Sequence, residues 1–301
     1  MRDRRNLAVL SLLAALFALA GCTGSAPATD SQAASPTGPA PLTLAASPLS
    51  LVVVGDSIPY GKQFCTGCNT FVAQYAAALR KRTGRPVEPT NLSRDDSASL
   101  SDIVKQVTTD NALHGALAKA DVMLLSAGFN STFPDAGQPP PGGFPMGCDG
   151  REPGVADSLL ARAAATTLDC TSKMVQRWAK DYDLIFSTMA HLRTGKPTVF
   201  IVLNVYNGNL NNPDIRAGMN AAAFAKTERV LVDVLNQWNG MLCRTARTHH
   251  FQCVDIYHVM NGPQGNRPPG ELSSDGTHPS QSGNDRIAAL LSRIDIGALP
   301  S

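Results

Sequence analysis

Leu51-Val52-Val53-Val54-Gly55-Asp56-Ser57 is the stretch on which the reading of this 301-residue chain turns. Four apolar residues in succession, three of them β-branched, run into a glycine. A run that short and that continuous predicts a strand buried on both faces, the environment of a parallel sheet. Outward from it the same signal recurs at Val87–Leu92 (weaker), Asp121–Ser126, Thr198–Asn204 and Gln252–Tyr257. Between these runs lie segments of helical period, at Phe71–Arg82, Leu100–Lys119, Leu159–Arg193 and Asn220–Thr248, and a last one spans Ser280–Ile294. Strands alternating with helices imply right-handed crossovers and a three-layer α/β/α domain. In such sheets ligands bind beyond the carboxyl ends of the strands.

Gly55-Asp56-Ser57 follows the first strand directly. A nucleophilic serine needs an exposed hydroxyl and nearby backbone N–H groups to stabilise an oxyanion, and a turn from a strand into a helix N-terminus supplies both. Taken alone the tripeptide is weak, because serine at such a turn is commonly a helix cap. The second piece is Asp275-Gly276-Thr277-His278-Pro279, just before the last helix. Spacing of three residues lets the carboxylate reach one imidazole nitrogen while the other faces the cleft. The carboxylate then orients a histidine that takes the serine proton and passes it to the leaving alcohol. The competing interpretation is an Asp-Gly turn beside an exposed histidine.

Together, Gly-Asp-Ser after the first strand and Asp-x-x-His-Pro before the last helix resemble the SGNH (GDSL) hydrolase family. Ala127-Gly128-Phe129-Asn130, after the third strand, matches that family's Gly-x-Asn block. The resemblance covers residues 50 to about 295 in motif order. It implies a flavodoxin-like sheet of about five parallel strands and ester hydrolysis without a metal or other cofactor. It also implies Ser57 as nucleophile and backbone oxyanion donor, Asn130 as side-chain oxyanion donor, and His278 and Asp275 as the rest of a triad. Two departures stand out. The family carries a glycine after its second strand, another oxyanion donor, whereas Asn91–Ser99 has none and contains the Asp95-Asp96 pair. Ser131 replaces the usual aspartate after the third block's asparagine.

The N-terminus reads as a targeting segment. Arg2, Arg4 and Arg5 precede the apolar run Leu7–Ala20, too short and too soon followed by Thr, Gly, Ser and Pro to span a membrane. Leu19-Ala20-Gly21-Cys22 resembles a bacterial lipobox, implying a signal peptide at 1–21 and lipid on Cys22. Residues 22–48 are rich in Ser, Ala, Pro, Thr and Gly and read as a flexible tether. The hydrolase domain then occupies 49–301, outside the cytoplasm on the cell membrane. Loss of residues 1–21 takes Lys+Arg from 26 to 23 and Asp+Glu from 24 to 23. A chain so near neutrality has no electrostatic claim on nucleic acid.

Six cysteines remain after Cys22, an even number suited to disulfides in an exported chain. Locality pairs Cys65–Cys68, Cys148–Cys170 and Cys243–Cys253. A redox or zinc role for Cys65-Thr-Gly-Cys68 lacks a thioredoxin-type context and further ligands. Residues 132–154, with six prolines, read as a long loop at the third strand end that rims the cleft or is a surface insertion. His249-His250 lacks a completing ligand set, so no metal is expected and a solvated turn is read there. His114, His191 and His258 read as structural. Trp178, Tyr182 and Phe186 form a buried helical stripe. Tyr206–Asn212 reads as a turn whose amides face the cleft, available to a sugar or acyl group.

The expected protein is a monomeric, lipid-anchored serine hydrolase acting on small, lipid or glycan esters through an acyl-enzyme. A lipase or phospholipase of the same fold is the near alternative. The distant one is a surface binding protein with a decayed oxyanion hole.

Overall fold

The computed structural model describes residues 47–61, 63–132, 172, 175, 176, 178–208, 210, 220–297 and 299. Strands β1 (Leu49–Gly55), β2 (Val87–Asn91), β3 (Val122–Ser126), β4 (Val199–Leu203) and β5 (Gln252–Val254) form one all-parallel sheet in the order β2-β1-β3-β4-β5. This is the flavodoxin-type order, with a switch point beside β1. β1 and β3 occupy the middle, and every β3 residue is buried, as the unbroken apolar runs require. β2 lies at the edge: only Val87 is buried, and Pro89 is tolerated where no outer neighbour needs its N–H.

The helices among the described residues include α1 (Ser57–Tyr60), α2 (Phe71–Thr83), α3 (Leu100–Thr109), α4 (Asn111–Leu117), α5 (Phe129–Thr132), α6 (Ala179–His191), α7 (Ala221–Thr248), α8 (Tyr257–Asn261) and α9 (Gln281–Leu291). α2 packs with α9 on one side of the sheet, and α3, α6 and α7 pack together on the other. The expected three layers are present. The single helix read over Leu100–Lys119 is two. Asp110 sits in extended backbone and its side chain accepts from Ala112 N (2.8 Å) and Leu113 N (3.1 Å), so it caps a new helix instead of continuing the old one. β5 stops at Val254, three residues short of the reading, because Asp255 turns the chain by accepting from His258 N. Residues 1–46, most of the 132–154 loop, the Leu159–Arg193 stretch up to residue 171 and the Cys148–Cys170 pair lie outside the described residues.

Two disulfides join Cys65 to Cys68 and Cys243 to Cys253, each with Cα atoms 5.4 Å apart. The second ties α7 to β5. Trp178, Tyr182 and Phe186 are buried as a stripe. Its middle member also shapes the β3 end: Tyr182 Oη donates to the Ala127 carbonyl (2.7 Å) and accepts from Trp238 Nε1 (3.2 Å). Gly128, at φ +116°, passes so near this phenol that an added Cβ would lie 2.2 Å from the hydroxyl.

The turns after β1 and β3 are joined through one buried carboxyl. Gly55 matters here for closeness more than for bending. A Cβ on it would stand 2.0 Å from the Ser126 carbonyl, which accepts from Asp56 N at 3.1 Å. Asp56 then caps α1 by accepting from Ile58 N (3.1 Å), while its other oxygen accepts from Phe129 N (3.2 Å). Burial pushes its carboxyl from 3.8 up to about 6, against the pull of those backbone N–H groups. A raised folded value means that the folded state holds the proton more tightly than the unfolded chain, so this contribution is full at low pH and fades as pH climbs through about 6. Denaturant titrations of wild type and Asp56→Asn should therefore diverge on acidification. The wild type should gain about 2 kcal/mol relative to the variant between about pH 7 and 4.

Candidate active site

The site is assembled from the carboxyl ends of β1, β3 and β4 and from the turn that precedes α9. Ser57 is the first residue of α1. Asp56 takes the cap role that a serine at such a turn otherwise plays, so the Ser57 hydroxyl is left for other use. Its Oγ lies 3.0 Å from His278 Nε2, across 221 residues of chain.

The histidine is oriented by its own turn. Asp275 Oδ1 accepts from Thr277 N (2.9 Å) and His278 N (2.7 Å), with Gly276 at φ +88° completing the tight loop. Asp275 Oδ2 lies 2.6 Å from His278 Nδ1. An ionised carboxylate only accepts, so Nδ1 carries the hydrogen and Nε2 presents its lone pair to the Ser57 hydroxyl. Burial works to raise the Asp275 carboxyl, but the bonds from the His278 N–H, the imidazole and Thr277 N–H outweigh it and hold the carboxyl below its ordinary range. The carboxylate therefore stays ionised where the histidine needs it.

Other elements pin this turn from three sides. Ser274 N and Ser273 Oγ donate to the His278 carbonyl at 2.8 and 3.0 Å. The Tyr206 hydroxyl, beyond β4, donates to the Thr277 carbonyl. Gly208 approaches so closely that a Cβ there would meet the Gly276 carbonyl at 2.3 Å. Tyr206 and Gly208 thus brace the histidine turn. Asn207 is committed to Asn261, with its N–H donating to Asn261 Oδ1 (2.6 Å) and its carbonyl accepting from Asn261 Nδ2 (2.8 Å). Asn209, Asn211 and Asn212 lie outside the described residues.

Asn130 follows the β3 turn on α5. Its Nδ2 donates to the Ala98 carbonyl at 3.0 Å, which uses one of two amide hydrogens and fixes the plane of the group. Ser131, standing where the family pattern has aspartate, accepts from Leu100 N (2.7 Å) and so joins the β3 turn to the start of α3. In the glycine-free segment Asn91–Ser99, Ser97 takes φ +56°, the left-handed backbone that glycine adopts freely. Asp96 is drawn into an ion pair with Arg94, which lowers its carboxyl, and both Asp95 and Asp96 are exposed.

Phe64 carried no sequence signal, yet its ring stacks on His278 with centroids 3.6 Å apart and planes 3° from parallel. The remaining histidines stand elsewhere. His249 Nε2 meets Asp183 at 2.8 Å, and His114 Nε2 meets the Val107 carbonyl at 2.6 Å. His258 has a partner that its isolation in sequence concealed: Asp255, three residues earlier, at 2.6 Å from Nδ1. Among the described residues no group of His, Cys, Asp or Glu is arranged to hold a metal.

A profile of the GDSL-like Lipase/Acylhydrolase family matches residues 53–286. Among solved structures, the lipase Lip_vut3 from a goat rumen metagenome is similar at a TM-score of 0.57 and 16% identity, over 81% of this chain and 95% of that one. A GDSL-like lipase from Parabacteroides merdae ATCC 43184 is similar at a TM-score of 0.51 and 13% identity, over 82% and 95%. At such identities these likenesses speak for the fold. No curated protein matches this chain in sequence. With the profile spanning all three sequence blocks and the sheet ordered as it is, the chain belongs to the GDSL-like lipase/acylhydrolase family.

Proposed function

We propose that this ester hydrolase works as a serine enzyme with a covalent acyl intermediate, Ser57 being the nucleophile, His278 the general base and then acid, and Asp275 the orienting carboxylate. One observation carries the proposal: the unbroken relay from Asp275 Oδ2 to His278 Nδ1 at 2.6 Å and from His278 Nε2 to Ser57 Oγ at 3.0 Å. In the first half-reaction Ser57 Oγ attacks the ester carbonyl carbon as its proton passes to His278 Nε2. Collapse of the tetrahedral species expels the alcohol, which leaves with that proton. Water then attacks the acyl-serine, again deprotonated by His278, and releases the acid and the free hydroxyl.

The developing oxyanion would be met by the Ser57 N–H at the start of α1 and by the second hydrogen of the Asn130 amide. Ser97 takes the place of the expected glycine as a third donor: its left-handed φ gives the segment the backbone turn that glycine would, at the strain cost of a side chain there. The decayed-site alternative rested on that missing glycine and on the Asp95-Asp96 pair. The left-handed Ser97 and the Arg94–Asp96 pairing both weigh against it. Substrates are small or acyl esters. The chain is placed outside the cytoplasm by the 1–21 segment and held at the membrane by lipid on Cys22, with residues 23–48 as tether; the lipobox-like Leu19-Ala20-Gly21-Cys22 supports this.

Ser57→Ala should keep the fold and lose about 10⁴–10⁶ of the rate on p-nitrophenyl acetate, and an unchanged rate would remove the serine from the mechanism. Asn130→Ala should lower kcat by about 10²–10³ with little change in KM, the pattern of a group that acts on the oxyanion alone. On purified mature protein, a fluorophosphonate probe should label wild type at Ser57 and leave Ser57→Ala unlabelled.

A further inference from the structure

We infer that Phe64 is a positioning residue for the general base, and that the Cys65–Cys68 disulfide exists to hold it there. The inference rests on the serine mechanism proposed above. Two hydrogen bonds, at Nδ1 and Nε2, fix the His278 ring along one line only. Rotation about that line tilts the ring and swings the Nε2 lone pair out of the plane in which the Ser57 proton must travel. A flat group pressed against one face blocks the tilt. Phe64 is such a group, at 3.6 Å and 3°.

The stack also discriminates between charge states. Two like rings prefer an offset or edge-on arrangement to a face-to-face one. An imidazolium over the negative face of a benzene ring is attracted to it at this distance. The imidazolium exists only after Ser57 has given up its proton. The contact therefore strengthens as the tetrahedral species forms, the differential binding that catalysis requires.

A phenylalanine on a surface loop would be a poor brace if the loop were free. Here it is tied at each end. Phe64 N donates to the Gly61 carbonyl (3.2 Å), next to the end of α1, and Cys68 N to the Cys65 carbonyl (3.0 Å) inside the disulfide ring. Ser274 Oγ donates to the Phe64 carbonyl (3.1 Å), and Asn69 N donates to Gln281 Oε1 (2.9 Å) on α9. Three of these ties run to the serine's helix, the histidine's turn and the helix that follows it. The loop thus spans the two halves of the relay, and the disulfide keeps its four residues from unwinding.

The test compares wild type, Phe64→Ala, Phe64→Tyr, Cys65→Ser/Cys68→Ser and the combination of the last with Phe64→Ala. For each protein kcat and KM on p-nitrophenyl acetate, the thermal midpoint and the downfield NMR resonance of the Asp275–His278 proton are measured. Phe64→Ala should lower kcat by about ten- to a hundredfold, as loss of alignment does, with KM and midpoint held and the resonance broadened. Phe64→Tyr, which keeps the flat face, should retain wild-type kcat. The cysteine pair variant should fall part of the way, and adding it to Phe64→Ala should cost nothing more. A wild-type kcat with a sharp resonance in Phe64→Ala overturns the inference, as does full additivity of the two losses. Should Phe64→Ala unfold, Phe64→Leu fills the same volume without a planar face, and wild-type kcat in that variant overturns it equally. Fluorophosphonate labelling separates the two levels. Wild type that takes no label overturns the serine mechanism and this inference together, whereas labelling of Phe64→Ala as fast as wild type overturns only the brace.

Discussion

The Asp56 carboxyl is the constraint to which the rest of this site answers. Its two oxygens receive N–H groups from separate crossovers, Ile58 after β1 and Phe129 after β3, and so lock together the loops that carry Ser57 and Asn130. The lock works only because the strand ends are almost in contact. Gly55 without a Cβ lets the Asp56 N–H reach the Ser126 carbonyl, and Gly128 without a Cβ leaves room for the Tyr182 hydroxyl. Burying an acid so completely carries an electrostatic penalty, visible in its elevated proton affinity. The backbone N–H groups of Ile58 and Phe129 offset part of it.

Much of this was legible from residues alone, and the reason is burial. Val52–Val54 and Val122–Leu125 are apolar without interruption because both faces of β1 and β3 are covered, so their nature and their parallel setting could be read directly. The Asp-x-x-His spacing was equally readable, because one turn of chain suffices to bring carboxylate and imidazole together. Failures came where one side chain overruled a pattern. Leu100–Lys119 has a helical period throughout, yet Asp110 is a better cap than helix residue. The run after β4 reads as a turn, and Tyr206, Asn207 and Gly208 do pack through hydroxyl and backbone against neighbouring turns.

Phe64 marks the limit of such reading. Nothing in Gln63-Phe64-Cys65 announces that its ring will lie on an imidazole 214 positions later. Contacts of that kind depend on how two loops are aimed, and loops carry neither the periodicity nor the burial signature that betrays a strand. Ser97 is a case between the extremes. The missing glycine was visible, whereas the left-handed backbone that Ser97 adopts in that segment was not.

The pairing of the final helix with α2 has a consequence in time. Asn284 Oδ1 accepts from Phe71 N at 2.8 Å, Gln281 reaches Asn69, and Gln74 Nε2 donates to Asp285, so the histidine turn docks onto a helix made more than two hundred residues earlier. Until that docking is made, Ser57 has no imidazole beside it. On the serine mechanism proposed above, the general base comes to stand beside its hydroxyl only through this long-range docking, so hydrolytic competence would follow closure of the whole domain and not the folding of any single turn.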